Sequence, residues 1–527
     1  MGGFGVKRES ARLFWSSSVP LAEFFNRTAL AASQVLEGFD PEDFEERLRS
    51  TSVGVAFSST AADKAEGAAL LDLVIRLMAR LYPSLDIFCT DRSQVVTRPL
   101  AALARSINPG IEITNTGTGK AGVLVGDSRP PFETTVFAGA TGWDSHVSLS
   151  NPAPIGRTSN PMGAGAAACI ATANIFRRVF LNGWETTMDR DLVLSTYTFT
   201  PESTPKSVPN ENWNIQDEVV LAGVGAIGMG AVWALARAPM TGVLHLVDPE
   251  TVELTNLQRY VLANRKDVGR AKVRVAARLL RGTLRPRVHQ IDWRTFVSKN
   301  GYRWSRVLAA FDSADARREL QSSLPRWIAN AWTQVGDLGV SVHPCFGEDG
   351  ACLACLYLPE GTVPNEDEVV AQALGIPARV ADVRSLLHLG IPVPAEVLAQ
   401  IATSLGLKPS DVLAFEGRPI RDLYLRGICG GGLIPLGRAG RPHPNVHVPL
   451  AHQSALAGVL LAAKLARVAA ADETKMTTVA RIDVQRQVPK AIEQNARRRN
   501  DGRCMCEDAD FADTYRTKYS ITPHSSL

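Results

Sequence analysis

The chain has 527 residues, 45% hydrophobic and 21% charged, and its 57 Lys and Arg against 53 Asp and Glu leave a formal charge of +4. That describes an ordinary globular protein of several domains; the small charge argues against a nucleic-acid partner, and no apolar run approaches the roughly 20 residues of a membrane helix. Eight cysteines are sparse for a disulfide-stapled scaffold and MGGFGVKRESARLF has no apolar signal core, so a reducing cytoplasm is expected.

The first two hundred residues alternate strand and helix patterns. VGVAFSST reads as a strand ending in small polar residues, ADKAEGAALLDLVIRLMARLY as a long amphipathic helix, and LDIFCTD as a second strand. AGVLVGD and TTVFAGATGW add two strand-like runs. NPMGAGAAACIATANIFRRVFL starts a helix on small residues and then turns apolar. TFTPESTPKSVPNENWN, dense in Pro, Ser, Thr and Asn, reads as a linker.

After the linker, EVVLAGVGAIGMGAVWALARA passes from an apolar strand through Gly223, Gly225 and Gly228 into a helix-forming segment. Glycines there permit a tight turn and let backbone approach a ligand at the helix N-terminus. The next strand, GVLHLVD, ends at Asp248, placed to accept hydrogen bonds from a ribose. A dinucleotide site fits equally well so far. Beyond it, however, Asn256, Gln258 and Arg259 in DPETVELTNLQRYVL are followed by Asp267-Val-Gly-Arg-Ala-Lys272. A nicotinamide has no need of an Asn, an Arg and a Lys beyond the ribose, whereas a triphosphate does. RVLAAFDSADAR then ends a strand in Asp312 and Asp315, where a carboxylate can hold magnesium against phosphates. Adenylation is therefore expected rather than hydride transfer.

The cysteines divide into pairs and singles. Cys352-Leu-Ala-Cys355 and Cys504-Met-Cys506 could together supply four thiolates to a tetrahedral zinc, or remain buried, unliganded thiols. Cys429, in LYLRGICGGGLIPL, precedes three glycines that leave room for a bulky acyl partner, and Arg426 could favour its thiolate. Cys345 is the second candidate nucleophile. Between Cys355 and Cys429, runs such as NEDEVVAQALGI and PAEVLAQIATSLGL predict small packed helices. VPLAHQSALAGVLLAAKLARVAA predicts a long core helix, and TTVARIDVQ a return to the sheet.

The ordered series resembles the ThiF/MoeB/ubiquitin-activating group of adenylating enzymes. The pattern is carried by Gly223-Val-Gly225-Ala-Ile-Gly228, Asp248, Asn256-Leu-Gln-Arg259, Asp267-Val-Gly-Arg-Ala-Lys272 and Asp312-Ser-Ala-Asp315 over roughly a hundred residues. The resemblance implies Asp248 at the ribose of ATP, Asn256, Arg259 and Lys272 at the phosphates, and Asp312 at magnesium. It departs from the family at Ala316, where an Asn is usual. It further implies a structural zinc on Cys352, Cys355, Cys504 and Cys506, and Cys429 as the thioester-forming nucleophile.

The resemblance also implies an α/β fold of two Rossmann-like adenylation-type domains in tandem, a pseudo-dimer with a small helical cysteine-domain insertion. The expected boundaries are 1–210 for an inactive adenylation-like half, 211–355 and 431–527 for the two parts of the active one, and 356–430 for the insertion. An arginine of the first half, Arg8, Arg12 or Arg27, would reach the phosphates. The implied substrate is the C-terminus of a ubiquitin-like protein, passed on to a separate conjugating enzyme, as in bacterial conjugation operons linked to phage defence; no fused conjugating-enzyme or metalloprotease segment is evident. A sulfur-carrier or peptide adenylyltransferase, a non-catalytic scaffold and a dinucleotide dehydrogenase are the alternatives. The chain is expected to act as a monomeric pseudo-dimer or a homodimer.

Overall fold

In a computed structural model of the chain, the described residues are 20–91, 94–215, 217–280, 284–334, 337–359, 365–424, 427, 448–470, 477–488 and 492–521. The apolar runs form two sheets. The first contains β1 (Val53–Phe57), β2 (Ser84–Cys89), β3 (Glu112–Thr114), β4 (Ala121–Val125), β5 (Thr134–Thr141), β6 (Asp144–Ser148) and β7 (Asp191–Ser195), in the order β3-β2-β1-β4-β5-β6-β7. Its first five strands are parallel and the last two antiparallel. β1 and β4 are buried at every position, which is why VGVAF and AGVLV read as unbroken apolar runs rather than alternating ones.

The second sheet contains β8 (Trp213–Asn214), β9 (Val219–Ala222), β10 (Met240–Val247), β11 (Leu284–His289), β12 (Arg306–Ala309), β13 (Trp327–Gln334), β14 (Asp337–His343), β15 (Thr478–Ile482) and β16 (Ile492–Asn495). Its order is β11-β10-β9-β12-β13-β14-β15-β16, with the short β8 beside β10. Strands β11 to β13 along that path are parallel and the rest antiparallel. Matched as β1 with β9, β2 with β10 and onward to β7 with β15, the two sheets share one order and one set of senses.

The helices repeat as well. Ala65–Leu81 follows β1 as Ala226–Leu235 follows β9, and Met162–Phe180 precedes β7 as Ala451–Ala469 precedes β15. These four pack on one another between the halves, in one continuous core. Small residues permit the approach. Within the second half a Cβ on Gly458 would stand 2.3 Å from the carbonyl oxygen of Ile227, and across the halves one on Gly165 would stand 2.7 Å from the Trp233 ring. The small-residue start of NPMGAGAAACIATANIF is thus the surface on which the second half packs.

Between β14 and β15 the chain makes the helices Glu366–Ala373, Val380–Leu389 and Ala395–Ser404 with shorter turns. They bury Val370, Val383, Leu386, Val397 and Ile401 at the expected three- and four-residue spacing. The first begins where the Glu368 carboxylate accepts the amide of Asn365 at 2.9 Å. Among the described residues no helix is long and apolar enough to cross a membrane.

Candidate functional site

The site lies where β9, β10 and β12 end together. Gly223 adopts φ +90°, and a Cβ there would meet the Ala310 carbonyl oxygen at 2.6 Å, so only glycine lets these strand ends close up. The Gly223 amide donates to Val247 at 2.9 Å and the Ala310 amide to Ala222 at 2.8 Å. Gly228 brings the following helix onto the turn, since a Cβ would stand 2.2 Å from the Gly223 oxygen. Gly225 is different: its Cβ would meet nothing nearer than the Tyr260 hydroxyl at 3.7 Å. The turn therefore opens at Gly225, in the crevice beyond the strand ends where α/β sheets take their ligands.

Asp248 closes one side, only 6% exposed. Its Oδ2 accepts the Val224 amide at 2.8 Å and its Oδ1 the Glu250 amide at 2.9 Å. Burial pushes its pKa upward, against the pull of Lys272 and those two amides. Lys272 is buried, its ammonium 5.2 Å from the centre of the Tyr260 ring and paired with Glu250. Burial alone would lower its pKa, but Tyr260, Asp248 and Glu250 outweigh it and the net shift is upward. Arg259 lies near the same ring, its guanidinium carbon 5.7 Å from the centre. One of its terminal nitrogens, Nη1, is buried without a hydrogen-bond partner.

The sequence-predicted residues thus assemble around Tyr260, with two qualifications. Asn256 is occupied locally, its Oδ1 accepting the Glu253 amide at 3.0 Å at the start of the Leu254–Gln258 turn. Asp312 is exposed past the end of β12, and Asp315 pairs with Arg318. Ala316, the departure from the family pattern, donates its amide to Ser313 Oγ at 3.1 Å in the cap of the Ala314–Ser322 helix. Buried Arg317 ties the neighbouring strand ends together, reaching Phe311 and Ala331 oxygens at 2.5 and 3.0 Å and Asn330 Oδ1 at 2.8 Å.

Sequence reasoning missed Glu250, Tyr260 and Arg317, and it looked to Arg8, Arg12 or Arg27 for the contribution of the first half without naming Arg76 and Arg80. Arg76 and Arg80 donate to the backbone oxygens of Val261, Tyr260 and Ala263. Their signal was present, Asp72, Arg76 and Arg80 at four-residue spacing in a largely apolar helix. The Phe25–Ser33 helix, which carries buried Arg27, packs against the Leu254–Gln258 turn. Arg8 and Arg12 lie outside the described residues.

The two cysteine pairs, 149 residues apart at their nearest, converge in one buried cluster. Sulfur separations are 3.8 Å for Cys352–Cys355, 3.5 Å for Cys352–Cys504, 3.4 Å for Cys355–Cys504 and 3.5 Å for Cys355–Cys506. Zinc–sulfur bonds of about 2.3 Å in a tetrahedron give edges of about 3.8 Å, so the set fits a four-thiolate metal. Phe346 and Tyr515 pack around it. Cys345 is half-buried; Cys429 and Arg426 lie outside the described residues.

Residues 214–500, more than half of the chain, match the profile of the ThiF family. The chain belongs to the ThiF family. It is therefore an ATP-dependent adenylating enzyme, which decides the choice the glycine turn left open. This ThiF-family chain is 42% identical over 520 residues to the uncharacterized protein y4jF of Sinorhizobium fredii, covering 96% of this chain and 99% of that one. It is 29% identical over 200 residues to the sulfur carrier protein adenylyltransferase of Thermus thermophilus, covering 34% and 73%. It is 31% identical over 164 residues to the SAMP-activating enzyme E1 of Haloferax volcanii, covering 29% and 58%.

Residues 56–181 match a second profile, Prokaryotic E2 family C. The expectation that no fused conjugating-enzyme segment is evident is at odds with that match, which covers less than half of the chain. The two cysteines of that span, Cys89 and Cys169, are both buried, and burial pushes the Cys169 thiol up. Neither is presented at the surface to receive an acyl group.

Proposed function

We propose that the protein activates the C-terminal carboxylate of a ubiquitin-like protein, first as an acyl-adenylate and then as a thioester on Cys429. The observation that carries the adenylation step is the buried, unpartnered Nη1 of Arg259, a residue that shares the Tyr260 ring with Lys272, the Tyr260 hydroxyl being the nearest atom to the open position at Gly225. A buried guanidinium nitrogen without a partner costs stability, and a phosphate oxygen in the opening would satisfy it.

ATP binds with its ribose toward Asp248 and its phosphates toward Asn256, Arg259 and Lys272. The substrate carboxylate attacks the α-phosphorus, the bond to the β-phosphate oxygen breaks, and pyrophosphate leaves against the two cations. Asp312 would hold magnesium, which supplies further positive charge when bound. The Cys429 thiolate then attacks the acyl carbon, AMP leaves, and a conjugating enzyme takes the acyl group by thiol exchange. Cys352, Cys355, Cys504 and Cys506 hold a structural zinc.

The first half is an inactive adenylation-like domain in this reading, making the chain a pseudo-dimer. The common strand order supports it, as does one bond: Asp91 accepts the Ser59 amide at 2.8 Å beyond β1, as Asp248 accepts that of Val224 beyond β9. Ser58 and Ser59 stand where the second half has its glycine turn. Domain limits of 210, 355 and 430 follow, with 356–430 as the cysteine domain that presents the nucleophile. The expected setting is a bacterial conjugation pathway of the antiphage kind, tested by phage challenge with and without the gene.

A second reading, a sulfur-carrier-type adenylyltransferase without thioester relay, is favoured by the Thermus relative, of which the match covers 73%. A non-reducing gel separates the two, with ATP, magnesium and a candidate ubiquitin-like protein. An adduct sensitive to thiols, present in the wild type and absent in Cys429→Ala, supports the thioester route. Exchange of pyrophosphate in both proteins with no adduct supports the second reading, and an adduct surviving in Cys429→Ala moves the nucleophile to Cys345.

A further inference from the structure

The Ala65–Leu81 helix of the first half holds the nucleotide site by two separate grips. Asp72 accepts the Trp233 indole N–H at 2.7 Å and the Arg237 guanidinium at 2.8 Å. Trp233 lies on the helix that opens at the glycine turn, and Arg237 just beyond it. One turn on, Arg76 bonds back to Asp72 at 2.8 Å and donates across the interface to the Val261 oxygen at 3.0 Å. A further turn on, Arg80 donates to the oxygens of Tyr260 and Ala263 at 2.6 and 2.7 Å. The residues so gripped directly follow Arg259, and Tyr260 is the ring beside both cations.

Arg80 is an expensive way to join two halves. It is 2% exposed, and its hydrogen bonds all go to carbonyl oxygens, the third to Arg76 at 2.5 Å. Burial, with the charge of Arg76, lowers its pKa to about 9. A charge buried against carbonyl dipoles costs more than an apolar side chain of the same length. What the guanidinium adds is direction, because its planar group holds one terminal nitrogen, Nη2, where it donates to two carbonyls at once.

We propose that Asp72, Arg76 and Arg80 are positioning residues of the nucleotide site. From the other half of the chain they hold Arg259 and Tyr260 against the glycine turn, and so set the affinity for ATP without touching it. The inference rests on the nucleotide reading of that site.

The test is titration of the full chain with ATP and magnesium by calorimetry, with melting curves for each variant. Arg80→Met should fold and bind ATP about tenfold more weakly, the scale of losing hydrogen bonds to a charged group. Arg76→Gln, at a half-buried position, should weaken it by a few-fold and serves if Arg80→Met does not fold. Gln487→Ala removes a different bond between the halves, to the Met188 oxygen at 3.0 Å, and should leave affinity within about twofold.

The deciding variant is Arg80→Met combined with Arg259→Ala. If Arg80 acts through Arg259, the pair binds no more weakly than Arg259→Ala alone. Additive losses, a folded Arg80→Met or Arg76→Gln with wild-type affinity, or an equal loss in Gln487→Ala would overturn the proposal. A wild-type chain that does not bind ATP and magnesium at all would instead overturn the nucleotide reading beneath it.

Discussion

Lys272 and Glu250 form an ion pair whose two ends meet different surroundings: the lysine side chain is 6% exposed and the glutamate 68%. In the proposed reading the buried lysine stays in place, and a phosphate would displace the exposed glutamate into water. Lys272→Met should abolish pyrophosphate exchange to within background, a loss of about a hundredfold or more by analogy with other preorganised charge contacts. Glu250→Gln should change exchange by only a few-fold, because an exposed partner is screened by solvent. Since the Lys272 pKa is raised, its charge persists into the alkaline range, and exchange measured up to about pH 9 should show no fall from this group.

Gly225 and Gly228 separate space for a ligand from space for packing. Gly225→Val should fold with a melting temperature near that of the wild type, since the nearest neighbour of its Cβ is 3.7 Å away, yet lose ATP binding. Gly228→Val should instead lose stability, by about 1 to 3 kcal/mol or more, because its Cβ would press on the Gly223 oxygen. Melting curves and ATP titrations on the two proteins check both outcomes. Equal ATP affinity in Gly225→Val and the wild type would remove the nucleotide from this turn.

The cysteine cluster should carry about one zinc per chain by elemental analysis of protein purified without chelator. Removing it should loosen the C-terminal segment first, since Tyr515 and Phe346 pack there and Tyr515 donates to the Arg326 oxygen at 2.9 Å. Limited proteolysis after chelation should cut between residues 496 and 521 before the rest of the chain. Protein that is folded, fully active and free of metal would exclude the zinc.

His452 lies in the interface between the halves, its ring 6.0 Å from that of Phe176, and burial with the charge of Arg177 lowers its pKa to about 3. The unfolded chain therefore takes up this proton near pH 6.5 while the folded one resists it. Stability from the neutral ring is complete above pH 6.5 and is lost as pH falls from there toward 3. At pH 5 the loss is about 2 kcal/mol. His452→Phe should flatten the fall in melting temperature between pH 7 and 5, and an unchanged slope would assign it to other groups.

Much of this was legible from local patterns. The runs VGVAF, AGVLV and VVLA declare strands because both faces are covered, and the glycine spacing declares a tight strand-to-helix turn because it has a backbone consequence. The two cysteine pairs could be matched because a metal's demand for four donors is independent of fold. For Asn256 the motif specifies a residue type and leaves its local hydrogen bonds to the turn it sits in, where its Oδ1 accepts the Glu253 amide.

The sequence by itself determined the elements, the order of the candidate site residues and the family chemistry, all of which depend on neighbours within a few dozen positions. Tertiary structure decided that Gly225 is the open glycine, that Arg259 and Lys272 gather at the Tyr260 ring, and that Arg76 and Arg80 reach this segment from the other half. Arg80 and Tyr260 are 180 positions apart. No periodicity or spacing connects such residues; only the packing of four helices on small side chains brings them within hydrogen-bonding distance.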